Sequence, residues 1–337
     1  MDANQSGLLS VVIPAHNEAA GIAHAVEVIA TALSSCGMKL EIIVVDDGSR
    51  DETFECVRNL SRKDPRIKGL RFTRNFGKEA ALLAGLRFAR GEAVVTIDSD
   101  LQHPPALIPR MIEEWRKGAM VVDAVKRSRD TDRMFTRLRA KVFNALLSRL
   151  GGINLQHSSD FKLLDRRVVD AIARELPERQ RFYRGLADWV GYRHTGLPFD
   201  VEARADGQGK WTFWRLMELA TTAAVSFTSA PLRIVTILGM LTLVFGFAVG
   251  TEALIGWFRG RAVSGFTTII TTLLILGSLI MISLGIIGEY IAKIYDEIKA
   301  RPNYLVEGAV GFEGDEMLLT SRAPRGQPVL IERGSDR

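Results

Sequence analysis

Two apolar runs, Ile234–Phe258 and Phe266–Ile287, constrain this chain more than any other feature. Each exceeds the roughly 20 residues that a helix needs to cross a bilayer's hydrocarbon core. Within lipid, only a helix satisfies its backbone inside one segment, because no water is present to pair with a free N–H or C=O. The short segment 259–265 joins the runs, so a hairpin of two membrane-spanning helices is expected, with both flanks on one side. A buried core helix is the alternative, and two such runs in close succession argue against it. Glu252 is the one acid within them and lies near the end of the first, where it can reach the interface. Arg233, Lys293, Lys299 and Arg301 mark the flanking side as cytosolic, and they outnumber the opposing Arg259 and Arg261.

The rest of the chain reads as an α/β domain. Its 337 residues allow one or two domains with a real core. A net charge of +5 is modest over that length, and no nucleic-acid partner is expected. Cys36 and Cys56 have no metal-type spacing, so a disulfide framework is excluded and reduced thiols are expected. The N-terminal MDANQSG lacks a basic region followed by an apolar run, and no signal peptide is expected.

Apolar strands alternate with helical periodicity in the first half. Leu8–Pro14, Leu40–Val45, Ile67–Thr73, Val94–Ile97 and Met120–Val125 read as strands. Between them lie helices over Glu18–Leu33, from Ser49 to about Arg62, from Lys78 to Arg90, and over Pro104–Lys117. Ser49 and Glu52 have capping-box spacing for the second helix. This alternation gives a mainly parallel, Rossmann-like sheet with helices on both faces.

Such sheets bind ligands at the carboxyl ends of their strands. There the fourth strand ends in Asp98-Ser99-Asp100-Leu101-Gln102. The turn after the first strand, Pro14-Ala15-His16-Asn17-Glu18, has no glycine loop to cradle a pyrophosphate, and no Gly-x-x-x-x-Gly-Lys-Ser/Thr loop occurs anywhere. Asp98, Asp100 and the Gln102 amide therefore suit a hard divalent cation, Mg²⁺ or Mn²⁺, shared with a substrate diphosphate. A solvated acidic turn is the alternative for a bare Asp-x-Asp. Asp46 is placed to accept hydrogen bonds from a ribose or base, or else Asp46 or Asp47 caps a helix.

Taken together, VVIPAHNE, IIVVDDGSRDET, RNFGKEAAL, TIDSDLQHPP, SDFKLLDRRVV and FYRGLADWVGY resemble the inverting GT-A glycosyltransferases of family two. The likeness spans about residues 8–300 and narrows to the polyprenyl-phosphate glycosyltransferases, the group of bactoprenol glucosyltransferase and dolichol-phosphate mannose synthase. It implies a GT-A nucleotide-sugar-binding domain over 1–210, an interfacial helix over 211–230, a transmembrane hairpin over 231–288 and a cytosolic tail over 289–337. It also implies transfer of a sugar, UDP-glucose first, to a polyprenyl phosphate for cell-envelope glycan modification. Galacturonate, an N-acetylhexosamine or mannose are the other donor sugars. The expected setting is a bacterial inner membrane with catalytic domain and termini cytosolic, and a homo-oligomer is left open.

By the same resemblance Pro14, Asn17, Glu18, Asp46, Lys78 and Asp98 contact the nucleotide sugar, and Asp98, Asp100 and Gln102 hold the metal. Asp160 and Asp100 are catalytic; Asp160 stands where the family's proposed base lies, although orienting the acceptor suits a phosphate nucleophile better. Lys126, Arg129, Arg137, Arg204 and Lys210 would meet lipid phosphate. Lys126 stands where the family has arginine, and lysine cannot bind phosphate in bidentate fashion. Gly209 and Trp211 replace the usual serine and tyrosine beside Arg204 and Lys210. Arg133, Arg137 and Lys141 share one helix face, either in water or near anionic lipid, where each contributes about 1 kcal/mol. Two other classes fit less well: a processive polysaccharide synthase, which needs more spans and a Gln-x-x-Arg-Trp, and a non-catalytic scaffold. The tail from Val306 to Arg337 is expected to be mobile, with at most a short strand at Pro328–Ile331.

Overall fold

The computed structural model describes residues 7–126, 159–176, 178, 181–199, 230–260 and 266–312. They fall into two units, an α/β unit and a helical hairpin.

The α/β unit is built on strands β1 (Leu8–Ala15), β2 (Lys39–Asp46), β3 (Ile67–Phe72), β4 (Ala93–Thr96), β5 (Val121–Lys126), β6 (Lys162–Asp165), β7 (His194–Phe199) and β8 (Val306–Val310). They form one sheet in the order β7-β5-β6-β4-β1-β2-β3-β8. β1 pairs in parallel with β2 and β4, and β2 with β3, as the alternation predicts. Val11, Val44, Val95 and Leu163 lie on one face; Val12, Ile43, Val45 and Val94 face the other, so both sides are buried. Helices α1 (Ile22–Ala32), α2 (Thr53–Lys63) and α4 (Ile108–Arg116) follow β1, β2 and β4. On the opposite face lie α3 (Lys78–Phe88), α5 (Arg166–Asp170) with a π turn at Ala171–Glu175, and α6 (Tyr183–Trp189).

Several expected boundaries shift for identifiable reasons. The first helix begins at Ile22 rather than Glu18, because residues 18–21 form a turn in which Glu18 O accepts from Gly21 and Ile22. Ser49 does not cap α2: its hydroxyl accepts from Asn17 N at 2.9 Å, and Asp51 accepts from Thr53 N at 3.1 Å instead. The helix expected from Pro104 opens as a 3₁₀ turn, Pro105–Leu107. The third helix stops at Phe88, since Ala89 is extended and Arg90 N turns to Glu41.

Two strands run against the parallel grain. β6 is antiparallel to both β4 and β5, which brings the residues before it to the carboxyl end of β4. β8 corrects the reading of the tail as mobile from Val306. It pairs antiparallel with the open edge of β3, while Tyr304 stacks on Phe72 at 4.9 Å and both Tyr304 and Val306 are buried. An unpaired edge and an exposed Phe72 would otherwise be left. Residues 328–331 lie outside the described residues.

The second unit is the helix pair α7 (Ala230–Phe258) and α8 (Phe266–Ile298). Its apolar windows, Val235–Gly256 and Ile269–Ile298, have mean hydropathies of 1.8 and 2.5 and are not buried. Both are long and apolar enough to cross a membrane. The second helix continues past Ile287, where the sequence run ends.

Gly85 lets α3 lie directly on β1: a Cβ there would stand 2.1 Å from Val12 Cγ1, on a β-branched side chain with little freedom to yield. Gly85→Ala should therefore destabilise the α/β unit by about 1–3 kcal/mol despite alanine's better helix propensity. Chemical denaturation of the two proteins measures this, and a variant as stable as the parent would show that the contact relaxes without cost.

Candidate active site at the carboxyl edge of the sheet

The loops leaving β1, β2 and β3 are tied to one another by side chains. Asn17, in the left-handed region at φ +57°, donates its N–H to Ser49 Oγ and accepts Arg50 N–H at 2.9 Å. Asp47 accepts Phe76 N–H at 2.7 Å and Gly77 N–H at 2.9 Å, which fixes the entry to α3. Gly48 has φ +65°, and a Cβ there would strike the Arg74 backbone at 2.3 Å, so only glycine fits this crossing.

These ties frame a cavity of about 360 Å³ lined by Pro14, Glu18, Asp47, Lys78, Asp98 and Asp100, among others. Asp46, in contrast, is buried within its own turn. Its Oδ1 accepts Ser49 N–H at 2.9 Å, and Oδ2 lies 3.8 Å from Arg71 Nε. Glu18 is held above the usual carboxylate range by burial and by Asp100 and Asp51.

Asp98 and Asp100 follow β4 as expected. Leu101 takes φ +53°, a strained conformation for a bulky side chain, while it packs against the core. Asp100 Oδ1 accepts Gln102 N–H at 3.1 Å, and Gln102 is exposed.

Lys78 joins this acid pair to Asp160: its Nζ is 2.6 Å from Asp98 Oδ1 and 2.8 Å from Asp160 Oδ2. Arg184, on α6, grips Asp160 from the other side, Nε on Oδ1 at 2.7 Å and Nη2 on Oδ2 at 2.8 Å. Burial pushes the Asp160 carboxyl up, but Arg184 and Lys78 outweigh it and hold it far below the usual range. Burial likewise pulls Lys78 down, and its two carboxylates hold it above an ordinary lysine.

Beneath them Thr96 Oγ1 donates to the Asp160 carbonyl at 2.6 Å and lies 2.9 Å from the buried Tyr183 hydroxyl. Glu79 Oε2 accepts Tyr183 N–H at 2.8 Å and so anchors the start of α6. Burial raises the Glu79 pKa to about 7.

The structure thus brings the sequence-predicted Lys78, Asp98 and Asp160 into one chain of ion pairs, with Pro14, Glu18 and Asp100 on the same cavity. Lys126 is the last residue of β5. Arg129, Arg137, Arg204 and Lys210 lie outside the described residues. Arg184, Glu79 and Tyr183 received no individual role from the sequence, although Tyr183 and Arg184 belong to the quoted FYRGLADWVGY and Glu79 to RNFGKEAAL. Their signal was the motif alone, since nothing local shows that Arg184 meets Asp160.

Two carboxylates facing one cavity suit a divalent cation with oxygen ligands, and the Lys78 ammonium against Asp98 shows that the place attracts positive charge. Asp123, Asp188 and His194 form a second donor cluster. It suits a metal less well, because the fully buried Lys162 ammonium already bonds Asp123. His194 Nδ1 lies 3.1 Å from Asp123 and 3.6 Å from Asp188, which balances the four charges when His194 is protonated.

Known families match this layout. The model for glycosyl transferase family 2 matches residues 10–172, and the model for the GtrB C-terminal hairpin matches residues 230–294. An uncharacterized glycosyltransferase of Synechocystis sp. (strain ATCC 27184 / PCC 6803 / Kazusa) is 40% identical over 90% of this chain and 96% of its own length. The SfII prophage-derived bactoprenol glucosyl transferase of Shigella flexneri is 36% identical over 89% of this chain and 97% of its own. Glucosyl-3-phosphoglycerate synthase from Mycobacterium tuberculosis, solved with Mn²⁺, UDP and phosphoglyceric acid, is more distant. It has 23% identity and a TM-score of 0.45 over 65% of this chain and 76% of that one, too slight a likeness to carry its ligands over.

Asp123 raises the pKa of His194 above its ordinary value, with Asp188 assisting and burial opposing. A raised pKa in the fold stabilises fully below the unfolded value, about 6.5, and is lost as pH rises through the folded one. The melting temperature of the parent should therefore exceed that of His194→Gln most below pH 6.5, with the gap closing at higher pH. A gap that stays constant across that range would mean His194 serves as a neutral imidazole.

Proposed function

The chain belongs to glycosyl transferase family 2, in the branch that carries a GtrB C-terminal hairpin on a GT-A domain, and from that premise we propose its reaction. It moves a sugar from a nucleotide diphosphate sugar, UDP-glucose in the first instance, to a polyprenyl phosphate, with inversion at the anomeric carbon. The observation that carries this reading is the convergence of Asp98, Asp100, Lys78, Asp160 and Arg184 at the carboxyl edge of the sheet. The name of the Shigella flexneri relative supports a polyprenyl carrier and glucose. The hairpin supports a lipid acceptor that stays in the bilayer.

Asp98 and Asp100, with Gln102 in reach along the chain, would hold Mg²⁺ or Mn²⁺, which when bound neutralises the leaving diphosphate. Pro14 and Glu18 line the nucleotide side of the cavity, and Asn17 and Asp46 hold the turns beside it. Asp160 positions cations rather than protons. A phosphate monoester has its second pKa near 6, so at pH 7 the acceptor is mostly dianionic and already nucleophilic. A carboxylate held ionised by two cations is a poor base. Asp160 instead keeps Lys78 and Arg184 facing the place where phosphate charge gathers, a contribution worth several kcal/mol in positioning. Lys126, Arg129, Arg137, Arg204 and Lys210 complete the phosphate and lipid side of the same proposal. The positive flanks of the hairpin support a cytosolic catalytic unit, with the domain divisions given above amended by β8.

Membranes holding the protein, supplied with polyprenyl phosphate and a panel of labelled sugar nucleotides, test the reading. Lipid-linked label should appear with one nucleotide sugar, vanish with excess chelator and return with Mg²⁺ or Mn²⁺. Full activity in chelator would remove the metal from the mechanism, and no label from any donor would sink the transfer itself.

Asp160→Asn should lower kcat at least a hundredfold at every pH from about 6 to 9, with donor affinity within threefold of the parent. Arg184→Lys, which keeps the charge but loses the fork, should lower kcat about tenfold. Recovery of the Asp160→Asn rate at high pH would make Asp160 a general base.

A further inference from the structure

A second cavity lies at the other end of α3. It holds about 370 Å³, within the range of small-molecule sites, and is lined by Arg87, Arg90, Arg166, Arg174, Phe88 and Phe312, with Ala89 at its floor. Since α3 has 11 residues, roughly 16 Å of helix separates this cavity from Lys78, and no residue is shared with the acid-lined one.

Four guanidiniums from three parts of the fold face one small space. Arg87 and Arg90 come from the end of α3 and the turn beyond it, Arg166 from α5, and Arg174 from the π turn. Two of them are fixed by backbone carbonyls. Arg87 Nε donates to Ala173 O at 3.0 Å, and Arg166 donates to Gly91 O at 2.8 Å and Ala89 O at 3.0 Å. The Ala89 and Gly91 carbonyls just beyond α3, and the Ala173 carbonyl, are thereby occupied by guanidinium groups. Asp170 lies 3.6 Å from Arg166 and 3.5 Å from Arg174 and sets the approach of these two. The rings of Phe88 and Phe312 meet edge-on at 5.5 Å and form an apolar wall beside the charges.

We infer that this cavity binds an organic phosphate, its phosphate or diphosphate on the arginines and its apolar or aromatic part against Phe88 and Phe312. Guanidinium forks match phosphate oxygens in pairs, and positions fixed in advance reduce the ordering cost of binding. A soluble nucleotide and a phospholipid headgroup offer the same chemistry. The inference does not depend on the reaction proposed above.

The test uses the full chain in nanodiscs, titrated calorimetrically with inorganic pyrophosphate and with UDP in excess chelator. In phosphatidylcholine discs both should bind, UDP more tightly, and Asp100→Asn should leave both affinities unchanged. The double variant Arg90→Ala/Arg174→Ala should weaken them at least tenfold, while transfer activity without added phosphate is unchanged. Should that variant melt early, Arg174→Glu, on an exposed side chain, should give the same loss. Adding phosphatidylglycerol to the discs identifies the source: tenfold weaker pyrophosphate binding assigns the site to lipid headgroups, and unchanged binding assigns it to a soluble phosphate. Absence of pyrophosphate and UDP binding in phosphatidylcholine discs, or parent-like affinity in the arginine variants, overturns the inference.

Discussion

Asp160 is the joint on which the described site turns. Its carboxylate is mostly buried, and an uncompensated buried charge is costly, so it is stable there only because Lys78 and Arg184 both bond it. Those two cations come from different helices: Lys78 opens α3 beside the acid pair, and Arg184 sits in the first turn of α6. One carboxylate therefore fixes two helices relative to β4 and β6. Glu79 and Thr96 repeat the tie through Tyr183, so α6 is held by polar bonds at its amino end and by Leu186 and Ala187 in the core beyond. Removing either cation is expensive because it leaves the mostly buried Asp160 carboxylate with only one counter-ion.

The sheet makes this joint attainable. If β6 ran parallel to β4, Asp160 would lie at the amino end, away from Asp98. The antiparallel return places it opposite the end of β4, where Thr96 pairs with Lys162 and the strand's preceding residues reach the acid pair. On the far edge β8 covers β3 and carries Glu307 to 3.5 Å from Arg71, whose Nε also faces Asp46. The segment that follows the hairpin is thus built into the sheet beside a turn of the site.

Strands β1 to β5, helices α1 to α4 and both apolar helices were legible in the sequence, because burial on both faces writes near-continuous Val and Ile runs and a bilayer demands long apolar ones. Asp98 and Asp100 were legible as well, since they follow closely on a strand's end, and Lys78 through the family resemblance. Arg184 and Glu79 were not, because their partners lie far along the chain and no local pattern records the meeting. The capping-box reading of Ser49 failed for the same reason: its hydroxyl goes to Asn17, on another strand's turn.

By itself, then, the sequence determined the kinds of element, the acid pair after β4 and the membrane-type hairpin. These depend on periodicity and on the chemistry of neighbours in the chain. Only the tertiary structure decided the direction of β6, the pairing of β8 and the clamp of Lys78 and Arg184 on Asp160. Each depends on a contact between distant segments, chosen by which edge needs a strand and which buried charge needs a counter-ion. Those needs exist only once the sheet has formed.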